Sequence, residues 1–280
     1  MIGGGETSIL IPSSTTMESA DERIRTLKVG QIARAAAVFR VDRIVIYRDD
    51  QFDDSRFISR VLQYAETPQY LRKRLFPRER ALRYVGILPP LRTPHHPTSS
   101  KVSTLKVGEF RVGLVVDEVG SDDGAWVEIG VERPLPLRTE KRFRLGQRLN
   151  VRIFSLKPLA AEPVDRSEIP HYWGYETEVI PNLDDHVRST ERLVVATSRR
   201  GAPATPELLS QMVHEGRRRR GLEVVFGSPA RGVDAFLSSE TMEGRCMINT
   251  IPHQGTETVR LEEAIVATLS QVNLMRSLEG

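Results

Sequence analysis

Twice near the C-terminus a strand-sized apolar run ends in a polar loop bearing glycine and proline, and a new element begins at once. Leu222–Phe226 leads into Gly227–Gly232 (GSPARG) and an apolar start at Val233. Met247–Ile248 leads into Asn249–Thr256 (NTIPHQGT) and an amphipathic helix running through Ala264. In the second loop Pro252 is rigid and Gly255 flexible, while Asn249, Thr250 and Gln254 offer amide or hydroxyl groups beside the unpaired N–H groups of a helix start. Two such loops at the carboxyl ends of neighbouring strands are how an open α/β sheet builds a nucleotide-like pocket. Neither GxGxxG nor a P-loop Lys-Ser/Thr pair is present, which argues against a dinucleotide enzyme or a phosphate-cradling loop.

The rest of the chain sets that pair of loops in an α/β frame. Ser8–Ile11 is a short strand ending at Pro12, and Ser13–Thr16 offer caps for a helical region up to Phe39. Arg43–Tyr47 predicts a buried strand. Asp53 or Asp54 can cap a helix whose Ile58, Val61, Leu62 and Ala65 share one face. This βαβα order is that of a parallel sheet. From Pro89 the texture changes to Pro- and Ser-rich loop, then to short strands at Phe110–Val116, Ala125–Ile129 and Leu149–Phe154, separated by Gly and acidic turns. A helix-free run of roughly 70 residues fits a small barrel of the OB type. Strand and helix alternate again after Pro163, with strands at Leu193–Ala196, Leu222–Phe226 and Cys246–Ile248. The expected organisation is one α/β domain, residues 1–90 and 166–280, carrying an inserted β domain, residues 91–165.

No apolar run reaches the roughly 20 residues that span a bilayer, and no secretory leader opens the chain, so a cytoplasmic protein is expected. Cys246 is the single cysteine, which leaves no internal disulfide and no multi-cysteine zinc cluster. His253 has no cysteine or carboxylate at ligand spacing, so no metal is expected. Net charge is only +3, but its distribution is uneven. Arg72, Lys73, Arg74, Arg78, Arg80 and Arg83 form one basic cluster; Arg138, Lys141, Arg142, Arg144, Arg148 and Arg152 form another. Only six of the 40 basic residues are lysines, and arginine suits bidentate phosphate contact and base stacking. Two one-signed clusters point to an RNA footprint. Arg217–Arg220 reads instead as a solvated helix end.

Several strings also carry a resemblance. FGSPARG (Phe226–Gly232) and NTIPHQGTETVRLEEA (Asn249–Ala264), with TPQYLRKRLFP (Thr67–Pro77), LRTPHH (Leu91–His96) and HYWGY (His171–Tyr175), resemble the archaeal and eukaryotic branch of the SPOUT RNA methyltransferases. The resemblance runs from about Ile9 to the last helix. It implies a SPOUT-type α/β domain with a C-terminal trefoil knot, an inserted OB-like barrel, S-adenosylmethionine as methyl donor, and a homodimer. It further implies ribosomal RNA as substrate, with uridine N3 as acceptor. The connection rules alone would give an unknotted doubly wound sheet.

By position, the family's three donor loops fall on Thr197–Gly201, Gly227–Gly232 and Asn249–Thr256. The resulting expected donor site is Thr197, Ser198, Gly201, Phe226, Gly227, Ser228, Pro229, Gly232, Asn249, Thr250, Ile251, Pro252, Gln254, Gly255 and Thr256, with Phe226, Ile251 and Pro252 bordering an adenine slot. An arginine at Gly227 is expected to fill this pocket with the fold intact. Glycines and prolines that merely end strands are the bland reading of any one loop. No acid–base pair stands out. Candidates for the chemistry are Arg260, Glu262, Tyr172 and His95. His95 and His96 read either as proton carriers or as a rigid turn with exposed rings, and Glu262 either as a reacting group or as a complement to the helix dipole. Trp173 reads as a core or interface plug ahead of base stacking. A non-catalytic RNA-binding or ribosome-assembly factor retaining the fold is the alternative function.

Overall fold

Strands buried on both faces of a parallel sheet read as unbroken apolar runs, and two such runs open the chain. The computed structural model describes residues 5–116 and 125–279; the turn expected between 116 and 125 lies outside the described residues. The elements in chain order are β1 (Glu6–Pro12), α1 (Glu22–Val38), β2 (Arg43–Tyr47), α2 (Ser55–Glu66) and α3 (Gln69–Leu75). Then come β3 (Phe110–Val116), β4 (Ala125–Glu128), β5 (Leu135–Leu137), β6 (Arg148–Leu156) and β7 (Leu159–Val164). The chain ends with β8 (Glu176–Ile180), α4 (Leu183–Ser189), β9 (Leu193–Pro203), α5 (Pro206–Arg218), β10 (Gly221–Val225), α6 (Ser239–Met242), β11 (Cys246–Asn249) and α7 (Leu261–Leu278).

The chain divides into two compact units: Met1–Glu66 with Arg80–Leu91 and Gly174–Gly280, and Thr67–Glu79 with Arg92–Trp173. In the first unit, six strands form a sheet in the order β11-β9-β10-β1-β2-β8, every pairing parallel. One face buries Leu10, Val45, Tyr47, Val194, Ala196 and Val225 against Leu183 and Val187 of α4 and against Val233 and Leu237. Among the helices, α1 packs against α2 and α7, and α7 against α5. Ile58, Val61, Leu62 and Ala65 of α2 are all buried, as their spacing predicts.

One local reading is corrected. Ser13–Thr16 do not cap a helix; they form a buried polar turn after β1. α1 is capped by Asp21, whose carboxylate accepts from Arg23 N at 2.7 Å. A carboxylate one turn nearer the apolar stripe outcompetes hydroxyls already engaged elsewhere: Ser14 donates to Asp49 at 2.5 Å and Thr15 to the Pro12 carbonyl at 2.5 Å. β8 had no forecast, because an edge strand with one buried residue in five shows no apolar run.

In the second unit β3-β4-β5-β7-β6 close into a barrel, filled by Leu105, Val127, Ile129, Leu135, Val151 and Ile153. This unit also claims α3, which the expected boundary at residue 91 assigned to the α/β part. Leu71 of α3 is buried with Val112, Leu114 and Trp173, and Tyr70 donates to the Val112 carbonyl at 2.6 Å. A seven-residue helix exposes too little apolar surface in sequence to reveal which partner it covers.

Candidate functional site

β11, β9 and β10 are neighbours in the sheet, so the three forecast loops lie side by side at their carboxyl ends. The first loop is an excursion within β9. Met247 pairs with Ala196 but Ile248 pairs with Ala202, so Thr197–Gly201 leave the ladder while the strand resumes beyond them. Gly201 makes this possible: a Cβ there would stand 2.6 Å from the Ile248 carbonyl carbon and 2.8 Å from its nitrogen. Its absent side chain serves backbone approach to β11, as glycine at close crossings does.

The second loop is a tight turn pinned from below. Phe226 N donates to the Leu10 carbonyl at 3.0 Å, and the Tyr47 hydroxyl donates to the Phe226 carbonyl at 2.5 Å. Burial holds the Tyr47 phenol well above its usual pKa, so it stays a donor. Arg231 N donates to Ser228 Oγ at 2.9 Å. The Arg231 guanidinium lies 4.7 Å from the Phe236 ring centroid and pairs with Asp49 and with Asp50, the latter at 2.7 Å. The Arg231 pairing holds the Asp50 carboxyl below its usual range. A Cβ at Gly227 would meet the Arg231 carbonyl oxygen at 2.9 Å. An arginine at 227 therefore distorts the turn before it fills any pocket, contrary to the expectation of an intact fold.

The third loop is braced to the first. Asn249 Nδ2 donates to the Arg199 carbonyl at 3.0 Å, and its Oδ1 accepts from Ile251 N at 3.0 Å. Arg199 donates to the Glu257 carbonyl at 3.0 Å. Gln254 donates to the carbonyls of Thr256 and Glu257 at 2.9 and 3.1 Å. Gln271 of α7 reaches back to the Thr250 carbonyl at 2.6 Å.

Together the three loops enclose a cavity of about 450 Å³, within the range of small-molecule sites. Of the expected donor residues, Thr197, Ser198, Phe226, Gly227, Ser228, Pro229, Gly232, Asn249, Thr250, Ile251 and Gln254 line it. Gly201, Pro252, Gly255 and Thr256 are not on its wall. Gly201 faces Ile248, and a Cβ on Gly255 would meet open space. The wall also includes Glu18, Arg199, Arg200, Arg231, Glu257, Arg260 and Ala264, of which only Arg260 had been singled out. Arg199, Arg200 and Arg231 sat inside the forecast loops, so a polar-side-chain reading could have found them. Glu18 had no such signal.

The candidates for the chemistry are dispersed. Arg260 precedes α7 on the cavity wall. Glu262 does not line the cavity; its carboxylate lies 3.6 Å from Lys28 Nζ. His95 and Tyr172 belong to the barrel unit. His95 is 1% exposed and packs 5.6 Å from the Trp173 ring, which corrects the exposed-ring reading. Trp173 is 4% exposed and donates to Asn150 at 2.8 Å, a core residue of that unit. Cys246 is half-buried, and desolvation raises its thiol pKa.

Of the two basic clusters, Arg72, Lys73, Arg74 and Arg78 and the whole of the second, Arg138 to Arg152, lie in the barrel unit, while Arg80 and Arg83 fall in the α/β unit. Lys73, Arg74, Arg78, Lys141, Arg142 and Arg144 are exposed. Arg138 stacks 4.5 Å from the Phe154 ring centroid. Arg72 donates to the Thr67 carbonyl at 2.8 Å, and Arg148 reaches the Thr67 hydroxyl at 3.4 Å. Arg152 is neutralised by Glu162 at 2.5 Å. Among the described residues no group of three or more His, Cys, Asp or Glu is placed to hold a metal ion, and no helix is long and apolar enough to cross a membrane.

A parallel sheet with an arginine-rich, loop-built cavity at its carboxyl edge defines an α/β protein with a small-molecule site where such sheets place one. The family described as "Putative RNA methyltransferase" matches residues 6–272. The chain belongs to this RNA methyltransferase family. An uncharacterized protein of Haloarcula marismortui is 37% identical, covering 96% of this chain and 99% of the relative. The 28S rRNA (uridine-N(3))-methyltransferase of Homo sapiens is 30% identical, covering 94% of this chain and 76% of the relative. A solved SpoU methyltransferase from Streptomyces viridochromogenes in complex with AdoMet aligns over 98% of this chain and 59% of that one at 9% identity and a TM-score of 0.40, a likeness too distant to carry weight.

Proposed function

We propose that this protein methylates ribosomal RNA with S-adenosylmethionine as donor, at N3 of a uridine. The observation that carries the reading is the convergence of the excursion within β9 and the loops after β10 and β11 on one cavity in a chain of this family. Relatives named 28S rRNA (uridine-N(3))-methyltransferase in Homo sapiens and Mus musculus support the acceptor.

The cavity suits the donor. Its volume is adequate, and the turn from Gly227 to Gly232 lies on its wall, so backbone groups can approach a ligand there. The Phe226 and Ile251 segments offer an apolar slot. The bound donor supplies a methyl group already activated on a sulfonium, so the protein's task is alignment, water exclusion and the handling of one proton. Asn249, Gln254 and Arg199 hold the first and third loops in register, while Tyr47 and Arg231 fix the second. In this reading Arg260, on the cavity wall, takes negative charge developing on the acceptor's carbonyl oxygens.

The excursion at Thr197–Gly201, closed against β11, supports a trefoil knot at this edge. The barrel order β3-β4-β5-β7-β6, with β5 parallel to β7, supports an OB-like identity for a unit that grips RNA through its exposed arginines and lysines. Exposed Ile24 and Leu27 on α1 and Val266 and Leu274 on α7 support a homodimer. The cytoplasmic location expected above accords with this reading.

Calorimetric titration of purified, cofactor-free protein with S-adenosylmethionine and then S-adenosylhomocysteine tests the proposal. Saturable binding of one donor per chain is expected, followed by methyl incorporation into unmodified large-subunit rRNA. Folded protein that gives no heat overturns it in favour of the non-catalytic RNA-binding factor.

A further inference from the structure

Methylation at an imide N3 requires a proton acceptor, and the sequence offers no obvious one. The cavity narrows the choice. Its ionisable lining consists of the guanidinium groups of Arg199, Arg200, Arg231 and Arg260, which are hydrogen-bond donors only, and two carboxylates, Glu18 and Glu257. Among the described residues no histidine, lysine, tyrosine or aspartate lines it.

The two carboxylates differ in how they are held. Glu257 lies in the exposed third loop, where its contacts to Arg199 and Gln254 run through its backbone carbonyl. Glu18 closes the turn after β1, the strand hydrogen-bonded to β10. That turn is fixed by the buried Ser13–Thr16 network, in which Ser14 bonds Asp49 and Thr16 bonds Asp54 at 2.5 Å. Glu18 Oε2 accepts from Lys28 Nζ at 2.7 Å. Lys28, on α1, has a side chain only 10% exposed, and its Nζ also lies 3.6 Å from Glu262 at the start of α7. Glu262 Oε2 is itself buried without a hydrogen bond. One buried ammonium thus ties the β1 turn, α1 and α7 together. It engages one oxygen of Glu18, while Oε1 has no protein donor among the described residues. The Glu18 side chain is 49% exposed, so a proton gained there can pass to solvent.

The geometry points to Glu18 as the general base of the reaction, with Lys28 and Glu262 as its positioning residues. The inference rests on the uridine-N3 reading above. The N3–H bond breaks as its proton passes to Glu18 Oε1. The N3–C bond forms, and the S–C bond breaks with its electron pair retained by sulfur. The positive charge of the sulfonium leaves as the proton on Glu18, which then goes to water. A carboxylate preset on rigid elements spares reorganisation during transfer.

The test compares Glu18→Gln and Glu257→Gln with the wild-type chain. The measurements are donor affinity by calorimetry, retention of unmodified large-subunit rRNA on filters, and single-turnover methyl transfer. Transfer is run on that rRNA and on the same transcript made with 5-fluorouridine, whose imide is more acidic. Glu18→Gln is expected to keep donor and RNA affinity within about threefold and to lose roughly 100- to 10,000-fold in transfer rate. On the fluorinated RNA most of that loss is expected to be recovered, because an acceptor that ionises more readily depends less on a base. A loss equal on both RNAs, a matching loss of donor affinity, or a larger loss in Glu257→Gln each overturns the assignment. Wild-type protein that neither binds donor nor transfers methyl overturns the methyltransferase reading, and the assignment falls with it.

Discussion

Replacing Gly227 with alanine isolates the turn that separates the sheet from the cavity. The added methyl would stand 2.9 Å from the Arg231 carbonyl oxygen and 3.1 Å from the Gly232 carbonyl carbon and Val233 nitrogen. Comfortable separation is about 3.5 Å, so the backbone of the loop has to give by about half an ångström. It cannot swing freely, since Arg231 is held at its N–H by Ser228 and at its guanidinium by Asp49 and Asp50. Forcing one methyl into a packed site costs roughly 1–3 kcal/mol. Relieved by displacing the loop, that cost becomes a loss in donor affinity of roughly 5- to 150-fold. Borne by the fold, it lowers the melting temperature by about 2–4 °C per kcal/mol. Calorimetric donor titration and thermal melts of Gly227→Ala read both. Gly86→Ala is the control, because a Cβ there meets nothing within 4 Å, and it is expected to leave both readouts in place. Wild-type donor affinity together with an unchanged melt in Gly227→Ala would refute the close approach on which the account of this loop depends.

Three further outcomes follow from the same geometry. Tyr47→Phe leaves the buried Phe226 carbonyl without its 2.5 Å partner; a loss of about 1–3 kcal/mol in chemical denaturation is expected, and an unchanged midpoint would contradict it. Neutralising Lys141, Arg142 and Arg144 to alanine is expected to weaken RNA retention and to flatten the salt dependence of log K by about one unit per lost phosphate contact, with donor affinity unaltered. Arg218 and Arg219 hold the Glu215 carboxyl down to about 2. A depressed carboxylate contributes stability above its unfolded pKa and loses it as pH falls towards the folded value. Glu215→Gln should therefore lessen the acid sensitivity of melting between pH 4.5 and 2 and leave the neutral-pH slope alone.

Local pattern was enough where the physics is local. The runs Ser8–Ile11 and Arg43–Tyr47 read as strands because a parallel sheet buries both faces of them. The stripe Ile58, Val61, Leu62 and Ala65 read as a helix face because 3.6 residues make a turn. The glycines and prolines of Gly227–Gly232 and Asn249–Thr256 marked the loops that line the cavity, and a lone cysteine told against disulfides. Even the arginine clusters were visible as charge of one sign.

Tertiary structure decided what depends on distant neighbours. Gly201 and Gly227 look alike in sequence; only the strand crossing shows that one makes room for Ile248 and the other for the Arg231 carbonyl. His95 is buried because Trp173, far along the chain, covers it. α3 joins the barrel because Leu71 finds its apolar partners there. Arg231 is pinned by Asp49 and Asp50, and Glu18 is set on the cavity wall by Lys28 and Glu262. The pairing of Arg231 with Asp49 and Asp50 is fixed by the places of β10, β1 and β2 in the sheet. A sequence records which side chains are available for such contacts, but register and strand order, set by packing of the whole chain, determine which of them meet.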